Sequence, residues 1–127
     1  MPKVLSVVET AYRATLEEQD DTILWLNAMF KNGGLDVALL LRSNAVNYAA
    51  TGQDASGLQV GNLSQSHAPD IEEDLSGIVR KGAPVYVVRE DLQERGISGN
   101  RLIDGVKLVS RTEVPALFDE HDQIWHW

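Results

Sequence analysis

Residues 37–41 read Val-Ala-Leu-Leu-Leu, five apolar positions with no polar alternation. A strand wetted on one side alternates apolar and polar side chains, so an unbroken run describes a strand covered on both faces, as in a parallel sheet between helices. Residues 4–8 (VLSVV) and 85–88 (VYVV) repeat the pattern, and residues 106–109 and 124–127 add two further strand candidates. Stretches of helical period separate these runs. Asp20 or Asp21 can cap a helix through Ile23, Leu24, Leu26 and Phe30 that ends at Gly33-Gly34. Ser43 can cap a second helix over residues 44–50, closed by Gly52. A third has Pro69 in its first turn, sets Ile71, Leu75, Ile78 and Val79 on one face and stops at Gly82. Residues 89–95 read as a fourth helix or turn, and Thr112 can cap a fifth around Pro115, Leu117 and Phe118. Strands alternating with helices predict one domain over residues 1–127: a three-layer α/β/α sandwich on a mostly parallel five-stranded sheet, in the flavodoxin-like order 2-1-3-4-5. Residues 51–66 have no periodicity, and a loop of that length is a candidate lid or subunit contact.

Composition narrows the chemistry. The chain of 127 residues contains no Cys, which removes thiolate nucleophiles and Cys-based metal sites. Its net charge of −8 repels phosphate backbones and anionic membrane surfaces, and no basic patch counters it, so neither nucleic acid nor membrane is an expected partner. The apolar run at residues 4–8 is too short for a signal-peptide core or a span, which points to the cytoplasm. No GxxxxGK[ST], GxGxxG or GxSxG string occurs. A phosphate-accepting receiver domain would need an Asp after the third strand, where Arg89 stands. Asp70, Glu72, Glu73 and Asp74 fall in the first half of the third helix and Arg80-Lys81 at its end, an order that complements the helix dipole and reads as a solvated face. His121, Asp122 and His126 lack a metal-ligand spacing, and no metal or cofactor is expected.

In an open parallel sheet, ligands bind beyond the carboxyl ends of the strands where the strand order reverses. That rule nominates Glu9, Thr10, Tyr12 and Arg13 after the first strand, Arg42, Ser43, Asn44 and Tyr48 after the second, and Arg89 and Glu90 after the third. The ligand-binding candidates from this rule are Glu9, Tyr12, Arg13, Asn44, Tyr48 and Arg89, to which the family resemblance given below adds Val88. They also permit an enzyme with Glu9 as general base and Arg13 or Arg89 as anion clamp, although structural ion pairs account for the same charges. Trp125 and Trp127 alternate around His126, so on a strand both indoles face one side. Either the last helix covers them or they anchor a subunit interface together with Tyr48.

The string VYVVREDLQERGISGNRLIDGVKLVS, residues 85–110, resembles the DsrE/DsrF/DsrH-like family of small sulfur-relay proteins, with its strand, short helix ending Arg-Gly, turn and Gly-Val strand. LLLRSNAVNYAA, residues 39–50, is similar to that family's second strand and following helix, and the terminal DQIWHW to its closing strand. The resemblance implies the same α/β fold, a homo-oligomer (trimer or hexamer), and partners among DsrE-like or other sulfur-carrier proteins. It also implies a difference. Active members carry a Cys just after the third strand, which falls here on Val88, and some carry a second near Asp91. Persulfide transfer needs a thiolate as nucleophile and carrier, so the resemblance leads to a non-catalytic protein of assembly or small-ligand binding.

Overall fold

The computed structural model describes residues 1–12 and 21–127. In chain order come β1 (Lys3–Val8), α1 (Thr22–Asn32), β2 (Asp36–Leu41), a 3₁₀ helix (Ser43–Ala49), the strands β3 (Gln59–Val60) and β4 (Leu63–Ser64), and α2 (Ile71–Arg80). They are followed by β5 (Val85–Val88), α3 (Arg89–Glu94), a 3₁₀ turn (Gly99–Arg101), β6 (Lys107–Val109), a 3₁₀ turn (Arg111–Glu113), α4 (Val114–Asp119) and β7 (Gln123–His126).

The main sheet has five strands in the order β6-β5-β2-β1-β7, and every pairing in it is parallel. The α/β layering is the flavodoxin-like one expected from the sequence. Of the neighbours in a 2-1-3-4-5 order, β1–β2 and β5–β6 are paired, but β2 lies between β1 and β5, and β7 closes on β1 rather than beyond β6. The burial of β2 explains this arrangement: Val37, Leu39, Leu40 and Leu41 are fully buried, which an interior strand allows and an edge position would not. The edges go to β6 and β7, short strands with exposed residues such as Lys107, Gln123 and His126.

One face of the sheet, through Val8, Leu39, Leu41, Val85 and Val87, packs on α1, the longer 3₁₀ helix, α2 and Leu92 of α3. The other face, through Leu5, Val7, Ala38, Leu40 and Val88, packs on Val114 and Leu117 of α4. Asp21 caps α1 by accepting the Ile23 and Leu24 N–H groups at 3.0 and 3.1 Å, and Asp70 caps α2 by accepting from Glu73 at 3.0 Å. Pro69 thus precedes the cap of α2 instead of sitting in its first turn. Ser43 does not cap the second helix; it lies inside a 3₁₀ helix at φ 55°, left-handed for a residue with a Cβ. Thr112 does not cap the fifth helix: Ser110 caps the 3₁₀ turn before it in a reciprocal capping box with Glu113, and Glu113 is the N-cap position of α4. Gly105 is demanded by packing: at φ 94°, a Cβ there would sit 2.5 Å from Cγ1 of Val79. Residues 51–66 carry the β3–β4 hairpin, with Leu58, Val60 and Leu63 exposed.

These burials set a stability contrast. Leu40→Ala should lower the free energy of unfolding by about 2–5 kcal/mol. Leu63→Ala, 75% exposed in the wild type, should stay within about 0.5 kcal/mol of it. Urea denaturation measures both, and equal losses would contradict the assignment of core and hairpin.

Candidate functional site

The register of the strands decides which side chains meet at the carboxyl rim. Val8 pairs with Leu41, and Leu41 with Val87. One residue further along the strands, Glu9, Arg42 and Val88 form the next row, where Val88 pairs with Val109 of β6. Successive side chains alternate faces, so Val8, Leu41 and Val87 pack toward α1 and α2 while the next row turns toward α4. The Arg42 guanidinium accordingly stacks over the Phe118 ring of α4, 5.7 Å from its centroid. Beyond the carboxyl end of β5 the chain leads into α3, which packs with the α2 layer, and beyond β6 into α4 on the opposite face. That divergence opens a cleft of about 290 Å³ lined by Arg42, Val88, Asp91, Arg111, Val114 and Pro115.

Two ion-pair groups border it. Glu9 Oε1 accepts from Arg42 Nε at 2.8 Å and lies 3.1 Å from His126 Nε2, which in turn is 3.0 Å from Arg42 Nη2. The Arg42 bond is the main cause that holds the Glu9 carboxyl below the usual carboxylate range. A general base needs a raised pKa, so this pairing works against the enzyme reading of Glu9. On the other wall, Asp91 accepts the Ser43 N–H at 2.7 Å and Arg111 Nη2 at 2.6 Å. Burial pushes the Asp91 carboxyl up, but the Ser43 N–H and the Arg111 and Arg95 charges outweigh it, and the net shift is downward. Arg111 also bonds Glu94 at 3.0 Å, and its backbone N–H donates to Glu90 at 2.9 Å. The left-handed Ser43 aims its N–H at Asp91, which places backbone strain beside the cleft.

Of the residues nominated from sequence, Val88 lines the cleft and Glu9 borders it through Arg42. Asn44 stands behind it, its Oδ1 accepting from Arg95 Nη2 at 3.0 Å. Arg89 is exposed and outside the cleft lining, where its charge acts on Glu113. Tyr48 does not reach the rim: it is fully buried, its hydroxyl donating to Asp21 Oδ2 at 2.8 Å, which also removes it as a surface anchor. Tyr12 packs edge-on to Tyr48, ring centroids 5.2 Å apart, and donates to Gln53, so it belongs to the opposite side of the sheet from the cleft. Arg13 lies outside the described residues. Trp125 and Trp127 share one face as expected, but it is the face of α1: Trp125 meets Phe30 at 5.2 Å, and the Trp127 indole N–H donates to Ser6 Oγ at 2.6 Å. The last helix, α4, packs on the other face and covers neither indole. Among the described residues, no group of His, Asp and Glu side chains is arranged to hold a metal ion, and no helix is long and apolar enough to cross a membrane.

Arg42, a rim residue by the sequence rule, stands at the centre of the site, whereas Asp91 and Arg111 are not among the rim residues that rule nominates. A signal for Arg111 existed, since it follows the carboxyl end of the fourth main-sheet strand and the rim rule had been applied to only three.

No protein-family model and no curated protein matches the chain. Solved structures do match. The ychN protein from E. coli is 24% identical and superposes with a TM-score of 0.75 over 100% of both chains. MTH1491 from Methanobacterium thermoautotrophicum, a protein of unknown function, is 16% identical with a TM-score of 0.64, covering 98% of this chain and 99% of its own. BT1422 from Bacteroides thetaiotaomicron, a conserved protein of unknown function, is 11% identical with a TM-score of 0.66, covering 98% and 95%. At these identities the likeness is one of fold.

The lowered carboxyls yield a pH prediction. A folded-state pKa below the unfolded value adds stability above the unfolded pKa and loses it as pH falls through the folded one. Asp91→Asn removes one such group, so its unfolding free energy should fall less steeply than wild type between about pH 5 and pH 2 in urea titrations. An unchanged slope would contradict the described environment of Asp91.

Proposed function

We propose that this chain is a DsrE-like protein without the family's sulfur chemistry, which binds a small molecule or a partner's group in the rim cleft and assembles with itself. Val88 carries the reading. The position that the resemblance assigns to the family's cysteine lines the same cleft as Arg42 and Arg111, yet holds a side chain that can neither attack nor carry sulfur. The fold likeness to ychN over the full length of both chains supports the α/β fold that the resemblance implies. Sulfur-carrier proteins of the same kind are the proposed partners, and the cytoplasm the proposed compartment. For self-assembly as a trimer or hexamer, apolar side chains are exposed at Trp25 and Met29 on α1 and at Val60 and Leu63 on the hairpin, with Trp125 half-buried between strand edge and α1.

Mass spectrometry after incubation with inorganic polysulfide tests the chemical half. The wild type should gain no sulfur, and Val88→Cys should gain one sulfane sulfur. Stable sulfur on the wild type, or none on Val88→Cys, would overturn it. Light scattering tests the assembly half, where a mass near that of one 14.0 kDa chain would contradict self-association.

A further inference from the structure

Taking the rim cleft as the ligand site just proposed, we infer that its ligand is a small organic anion, with the acid group between Arg42 and Arg111 and an apolar body on Val88, Val114 and Pro115. The argument is a count of unused hydrogen-bonding capacity. The one carboxylate in the cleft lining, Asp91, has both oxygens bonded, Oδ2 by the Ser43 N–H and Oδ1 by Arg111, while Glu9 at the border accepts from Arg42 and lies beside His126 through Oε1. The guanidiniums are not fully used. Arg111 gives its bonds to both Asp91 and Glu94 through Nη2 alone, and Arg42 uses Nε and Nη2. Among the described residues, Arg111 Nε and Nη1 and Arg42 Nη1 have no acceptor, and both side chains line the cleft. Within the lining the spare capacity is on the donor side, on two planar groups, which suits a carboxylate or sulfonate better than an amine. Of the charged side chains, Arg42, Arg111 and Asp91 line the cleft itself, and Glu9 and Glu94 pair with the two guanidiniums at its border. The remaining walls are aliphatic, and about 290 Å³ lies near the lower end of ligand-site volumes, which limits the body to a few carbons.

The test uses two isosteric probes, 4-methylpentanoate and 4-methylpentanamide, titrated into the full chain with labelled valine methyls. The acid should shift the Val88 and Val114 methyl signals with an affinity in the millimolar range, and the amide should bind about tenfold or more weakly. In Arg111→Gln, and separately in Arg42→Gln should the first variant not fold, the acid should lose about tenfold in affinity while the amide is unchanged. Acid and amide binding equally would overturn the anion inference and leave the cleft as a ligand site. Neither probe moving the Val88 and Val114 signals would overturn both. Acid shifts confined to residues outside the cleft would likewise refute the assignment.

Discussion

The parallel register of β1, β2 and β5 is the constraint on which the candidate site rests. Side chains on a strand alternate with a period of two, so sliding one strand by a single residue would send Val88, Arg42 or Glu9 to the wrong face and close the cleft. The register is held because β1 and β2 are buried on both sides: Val4, Leu5, Val7 and Val8, and Val37, Leu39, Leu40 and Leu41, are fully covered, and each would meet a mismatched layer after a slip. The same burial that folds the sheet therefore aligns three unrelated residues at its rim.

The two helical layers are unequal, and the inequality makes room. The α1 and α2 side carries the larger core, closed by the buried Tyr48 and Asp21 pair. The α4 side is thin, with Val114 and Leu117 as its buried anchors, and the helix starts only after the Ser110–Glu113 capping box has carried the chain away from β6. Between that short helix and the sheet's carboxyl edge the rim stays open, and charged groups lace its borders. Their net effect is to hold the Glu9 and Asp91 carboxylates ionised and to leave guanidinium N–H groups of Arg42 and Arg111 unspent.

Much of this was legible in the sequence. The unbroken apolar runs foretold parallel strands, the cap at Asp20 or Asp21 and the Ile71, Leu75 and Ile78 spacing foretold α1 and α2, the rim rule reached Glu9 and Arg42, and the resemblance reached Val88. Strand order was less legible, because periodicity reports burial and not neighbours; the continuous burial of residues 37–41 did imply an interior place for β2, which the 2-1-3-4-5 order denies. Tyr48 was misplaced because a helix following a strand can turn its aromatic inward as readily as outward, and its partner Asp21 lies far off in sequence. Arg111 and Asp91 were not legible for the same reason: their pairing joins the 3₁₀ turn after β6 to α3, a contact that no local pattern encodes.

The most direct measurement is the set of nuclear Overhauser contacts of the Val88 methyl groups in valine- and leucine-methyl-labelled protein. The account predicts cross-peaks from Val88 to the Val114 methyls and to the Arg42 side chain, all on the α4 face. Cross-peaks from Val88 to Leu75 or Leu24, on the α1 and α2 face, would mean that the register is shifted by one residue and that the cleft described here is not formed.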